Sequence, residues 1–160
     1  MGTTGVIAAA SGTAGSREEA EQVRRMAEVF PSFSLIRRGG RMYWRGFLKP
    51  TSASLEYLVQ IDLAPGFRAI ARVLAPPLLV DRFFVRSRRD HLHVSSDGAL
   101  CLYHPTDEAY RPGCLVADTI VPRVLHWLKL YELWLRTGRW CSKQAPPGKP
   151  NVLPGIKDQL

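Results

Sequence analysis

The sequence predicts an α+β fold on three observations. Four consecutive segments between residues 33 and 74 alternate apolar and polar side chains, an apolar stripe at helical spacing precedes them, and a second helical stretch, apolar around most of its circumference, follows. Residues 1–15 are small and carry no period that could bury a face, so they are expected to be a disordered leader ahead of a domain over 16–141. Ser16 and Glu19 have capping-box spacing, and Ala20, Val23, Met26, Ala27 and Phe30 share one face, which predicts a helix over 17–30 stopped by Pro31. FSLIRR and RMYWRGFL flank Gly39-Gly40, a pair able to take the positive φ angles of a tight hairpin turn. LEYLVQIDL and FRAIARVL flank Ala-Pro-Gly and extend the pattern to a four-stranded antiparallel meander, which Pro76-Pro77 ends. Residues 78–112 have no sustained period, and a loop of that length in a small domain is usually functional. Asp118 or Thr119 is placed to cap the second helix, Pro122 is tolerated in its first turn, and Thr137-Gly138 ends it. Its polar residues Arg123, His126, Lys129, Glu132 and Arg136 form a narrow ridge, so the rest of the helix belongs in a core. The tail over 142–160, with Pro146, Pro147, Pro150 and Pro154, is expected to be extended.

Composition narrows the class further. A chain of 160 residues supports one domain, and 46% hydrophobic residues with four Trp exclude global disorder. Three cysteines without a CxxC pair argue for reduced thiols, and with no signal peptide or membrane-length apolar run the expectation is a soluble, cytoplasmic protein. The net charge of +8 is unevenly spread. Residues 91–118 hold Asp97, Asp107, Glu108 and Asp118 against Arg111 alone, so the excess of positive charge lies outside this segment.

That segment, HLHVSSDGALCLYHPTDEAYRP, concentrates the candidate chemistry. His91, His93, Cys101 and His104 offer a metal-ligand set, but their spacing is looser than the paired ligands of structural zinc sites, and no metal or other cofactor is expected. A packing reading makes Cys101 a small hydrophobe and the histidines satisfied hydrogen-bonders. A third reading makes Cys101 a nucleophile on an ordered loop.

Order and spacing favour the third. A helix, a four-stranded meander, a long loop with a cysteine ten residues after a histidine, and then a buried helix resemble the ubiquitin-conjugating enzyme fold. In that family a His-Pro-Asn triplet opens the active-site loop, a Gly stands three residues before the catalytic cysteine, and a Leu follows it. Here His91, Leu92 and His93 take the triplet places, Gly98 the glycine, and Cys101-Leu102 the cysteine and its neighbour; Tyr110-Arg111-Pro112 resembles the family's Trp-x-Pro. His93 departs from the Asn that helps stabilise the oxyanion, and the helices that usually follow the central one are missing or reduced to the proline-rich tail. These departures, with DGALCLY, YELW and TGRW, are similar to the stand-alone conjugating-enzyme-like proteins of bacterial CBASS antiphage operons.

The resemblance implies a thioester on Cys101, with His93 as a further catalytic residue and His91, Gly98, Tyr110 and Pro112 organising the loop. Asp107 or Glu108 would orient an incoming lysine. The implied partner is a cGAS/DncV-like nucleotidyltransferase, bound through its C-terminal tail. The chain has no nucleotide-binding glycine loop and no room for an adenylating domain, so a separate activating enzyme or another partner must supply the activated acyl group. Acidic neighbours predict a Cys101 pKa that is not strongly lowered. Cys114 and Cys141 read as packing thiols. Two rivals remain: a catalytically silent scaffold of the same fold that docks the nucleotidyltransferase, and a basic nucleic-acid binder. The second rests on Arg82, Arg86, Arg88 and Arg89 beside Phe83 and Phe84, and on Arg37, Arg38 and Arg41 at the hairpin; no nucleic-acid motif accompanies either cluster.

Overall fold

In the computed structural model, residues 12–64, 68–79, 94, 95, 97–102 and 114–137 are described. Helix α1 (Gly12–Val29) leads into β1 (Ser34–Arg38), β2 (Arg41–Leu48), β3 (Tyr57–Ala64) and β4 (Arg68–Ala75), and α2 (Val116–Thr137) follows the long connection. The strands pair antiparallel in the order β1-β2-β3-β4, the predicted meander. Gly39 (φ 57°) and Gly40 (φ 72°) turn the first hairpin with Arg38 opposite Arg41, as the Gly-Gly pair predicts.

Period-two alternation sets which face is buried. Met42, Trp44, Gly46 and Leu48 of β2 point inward, as do Tyr57, Val59, Ile61 and Leu63 of β3 and Ala69 and Ala71 of β4. The register places Trp44 beside Ile61 and Ile61 beside Ala71, so large and small side chains fill one row together. Gly46 has a packing reason: a Cβ there would stand 2.4 Å from the Phe33 ring, so nothing larger than hydrogen fits beneath it. Helix α2 closes this face with Ile120, Val121, Val124, Trp127, Leu128, Tyr131 and Trp134 buried. Each such side chain contributes on the order of 1.5–3 kcal/mol through removal from water. Trp127 stacks on Tyr131 at 5.4 Å between ring centroids, and Tyr57 meets Tyr131 edge-on at 6.5 Å.

The polar ridge of α2 is partly put to use. Glu132 accepts the Ser54 hydroxyl at 2.6 Å, the Tyr57 hydroxyl at 3.0 Å and the Leu55 N–H at 3.3 Å, which fastens the β2–β3 loop to the C-terminal half of the helix. Burial and the neighbouring Glu132 carboxylate push the Tyr57 phenol up, so it remains a hydrogen-bond donor. Among the described residues, no helix is long and apolar enough to cross a membrane.

The helix boundaries and faces differ from expectation. Helix α1 begins at Gly12, inside the stretch expected to be a disordered leader and ahead of the expected start at 17. Its buried face is also rotated: Ala20 and Ala27 are exposed, while Gln22 is buried beside Met26. Helix α2 starts at Val116, ahead of the expected caps Asp118 and Thr119. The reason is that α1 supplies the cap. Gln22 Oε1 accepts the Val116 N–H at 2.9 Å, and Gln22 Nε2 donates to the Cys114 carbonyl at 2.9 Å. Asp118 instead sits in the first turn, where Arg25 of α1 grips both its oxygens at 2.8–3.0 Å and holds its carboxyl below the usual range.

Replacing Gln22 by Leu keeps the bulk but leaves the Val116 amide and the Cys114 carbonyl without this partner. At about 1–3 kcal/mol per buried unsatisfied group, Gln22→Leu is expected to lower unfolding stability by about 2–4 kcal/mol in urea titration; a loss below about 0.5 kcal/mol would contradict this cap.

Candidate active site

β4 forms one edge of the sheet, and residues 94, 95 and 97–102 lie against it. The Leu100 N–H donates to the Ala71 carbonyl at 2.8 Å, Ala99 bridges to Arg72, and Val94 pairs with Leu100. Val94 and Leu100 are both buried in the core, so the ends of this narrow turn are fixed by apolar packing. Within the turn the Ser95 N–H donates to the Ala99 carbonyl at 2.8 Å, and the Gly98 N–H to the Ser95 carbonyl at 2.9 Å. Gly98 has φ 81°, a conformation that side-chain-bearing residues rarely adopt, which is a local reason for glycine three residues before Cys101.

Two arginines complete the frame. Arg72 of β4 donates from Nη1 to Asp62 Oδ2 at 2.7 Å, from Nη2 to Asp97 Oδ2 at 2.6 Å and from Nε to the Asp97 carbonyl at 3.3 Å. Asp97 Oδ1 also accepts the Ser95 hydroxyl and, at 3.3 Å, the Ala99 N–H. The Ser95 hydroxyl first, then Arg72 and the Ala99 amide, lower the Asp97 carboxyl to about 2. Beyond the cysteine, Arg123 of α2 donates from Nη1 to the Leu102 carbonyl at 3.1 Å.

Cys101 lies between these anchors and is exposed, one residue after core-facing Leu100. Protein packed on one side of the thiol pushes its pKa up through partial burial, so at neutral pH the thiol form dominates. The thiol is thus not activated, and desolvation is a cause that the sequence does not display. Two of the four acids expected to make the segment negative are held by arginines from outside it, Asp97 by Arg72 and Asp118 by Arg25. A protonated, reachable thiol suits acceptance of an already activated acyl group better than attack on an amide.

Of the residues expected at the site, Gly98 and Cys101 are described, three positions apart on one segment; His91, His93, Asp107, Glu108, Tyr110 and Pro112 lie outside the described residues. Cys114 is half-buried, and Cys141 also falls outside. Arg82, Arg86, Arg88, Arg89 and the phenylalanines among them lie outside too, while Arg37 at the hairpin pairs with Glu19 of α1. Arg72 and Arg123 carry no motif. The alternation of β4 and the polar ridge of α2 mark them only as residues off the core.

A helix, an antiparallel meander, a cysteine on a segment pinned at the sheet edge and a buried helix behind it define the conjugating-enzyme-like class. The family model of the Type II CBASS E2 protein matches residues 22–147, and the chain belongs to that family of E2-like proteins of antiphage systems. No curated protein matches the chain.

Two pH dependences follow. The Asp97 carboxyl is depressed on folding, so its contribution is complete above the unfolded value of about 3.9 and is lost as pH falls towards about 2; the Gly98 and Ala99 amide shifts should stay constant down to pH ~3 and move below it, whereas movement already at pH ~4–5 would contradict the depressed value. Alkylation of Cys101 by iodoacetamide should rise with pH through an inflection above the ordinary cysteine value of about 8.5, and a rate already saturated at pH ~7 would contradict the burial effect.

Proposed function

We propose that the protein carries the C-terminus of a cGAS/DncV-like nucleotidyltransferase as a thioester on Cys101 and passes it on, regulating CBASS antiphage signalling in the cytoplasm. The observation that carries this reading is an exposed thiol fixed in space between the sheet edge and α2, with Gly98 turning the chain just before it. Family membership supplies the antiphage setting.

The acyl group arrives activated in this reading, which the lack of a glycine-rich nucleotide-binding motif in the sequence supports. In the first step Cys101 loses its proton and the thiolate attacks the carbonyl carbon of a thioester held by a separate activating enzyme or another partner; a new C–S bond forms as the old one breaks, and the donor leaves as a thiolate that takes up a proton. In the second step an acceptor amine attacks the Cys101 thioester, Cys101 leaves as a thiolate, and the amine gives up a proton. His93 is assigned to donate a hydrogen bond to the oxyanion of that step, and Asp107 or Glu108 to orient the amine. His91, Tyr110 and Pro112 are assigned to shape the loop.

Co-expression with the operon neighbours, followed by denaturing gels with and without reductant, tests the reading. An adduct that disappears on thiol treatment and is absent in Cys101→Ala is the expected outcome. A complex that forms unchanged in Cys101→Ala, with no adduct in the wild type, would instead indicate a docking scaffold. Salt-dependent binding to DNA or RNA that survives the same substitution, again without an adduct, would favour a basic binding surface.

A further inference from the structure

We infer that Arg72 and Arg123 are positioning residues for acyl transfer at Cys101, each holding the backbone on one side of the thiol from a different structural element. The inference rests on the reading of Cys101 as an acyl carrier. Arg72, on β4, holds Asp97 through both its side chain and its carbonyl, and is itself braced by Asp62 of β3. Arg123, on α2, holds the carbonyl of Leu102, the residue immediately after the cysteine. The sheet and the helix thus grip the same short segment from two directions.

Core packing alone does not require this arrangement. Burial of Val94 and Leu100 already ties the segment to the domain, and both arginines remain partly exposed. Their contacts fix what apolar packing leaves loose, the direction in which the backbone enters and leaves Cys101. A small alkylating reagent approaches a thiol from any open side. A thioester joined to another protein's tail needs a defined carbonyl orientation, and a misplacement of about 1 Å can cost about 100-fold in such a reaction.

The two arginines also differ in what would replace them. Arg72 uses three N–H groups of its planar fork on three acceptors, a geometry that the point charge of lysine does not reproduce. Arg123 gives the Leu102 carbonyl one Nη1 N–H, a bond that a lysine ammonium can also make.

The test compares full-length variants in three assays: the initial rate of the thiol-sensitive adduct in the co-expressed system, the rate of Cys101 alkylation by iodoacetamide, and the thermal midpoint. Arg72→Leu and Arg123→Leu should slow adduct formation by at least about tenfold, while alkylation stays within about threefold of wild type. Arg123→Lys should restore most of the adduct rate, and Arg72→Lys should not. Asp97→Asn, which leaves β4 untouched, should follow Arg72→Leu and stands in for it if that variant unfolds. Wild-type adduct rates in both Leu variants would overturn the proposal, as would a parallel fall of alkylation and adduct rates, or lysine rescuing both positions equally. Absence of the adduct in the wild type would instead remove the carrier reading beneath it and the positioning role with it.

Discussion

Helix α2 buries nine of its side chains, Val116 among them, and so its first turn starts inside the protein. A helix end has backbone amides without intrahelical acceptors, and burying them is tolerable only if something else accepts. Gln22 provides the acceptor, reaching from α1 to the Val116 amide while its own amide nitrogen donates to the Cys114 carbonyl. Arg25, one turn further along α1, grips Asp118 in the same turn. The two helices are thereby locked end to side, and the line of α2 across the sheet is set by polar contacts as well as by its aromatic face. Everything functional lies downstream of this placement, because Arg123 stands two turns along the helix whose start Gln22 defines.

The cysteine segment uses both layers of the fold. From the sheet it takes a backbone bond to Ala71 and the Arg72 fork, and from the helix it takes Arg123. Between them Leu100 faces the core and Cys101 faces solvent. Loops that carry chemistry need a rigid support to be accurate, and among the described residues the sheet and α2 supply it. The partial burial that raises the thiol pKa is a by-product of the same close packing, and it matches a role in which the incoming acyl group is already activated.

Much of this was legible from residue order. The four strands, the Gly39-Gly40 turn and the apolar character of α2 all follow from local rules that a linear sequence displays, while Gly98 and Cys101 are marked by the family resemblance. The misses have a common physical origin in contacts between residues far apart in the chain. Gln22 is polar and sits 94 positions from the amide it caps, so no apolar stripe includes it, and the alanines that seemed to complete the stripe face solvent. Arg72 reaches Asp97 across 25 positions and Arg123 reaches Leu102 across 21, and a bond to a carbonyl leaves no trace in residue type. Counting acids along residues 91–118 does not show, for the same reason, that Asp97 and Asp118 are held by arginines from β4 and α1.

The central claim concerns one covalent bond. Intact-mass and fragment analysis of the co-purified protein, before and after neutral hydroxylamine, addresses it most directly. A carrier would show a species heavier by its partner chain less one water, with the bond mapped to Cys101 and removed by hydroxylamine. A thioester mapped to Cys114, or an adduct that forms unchanged in Cys101→Ala, would contradict the assignment of Cys101 as the acyl-bearing residue.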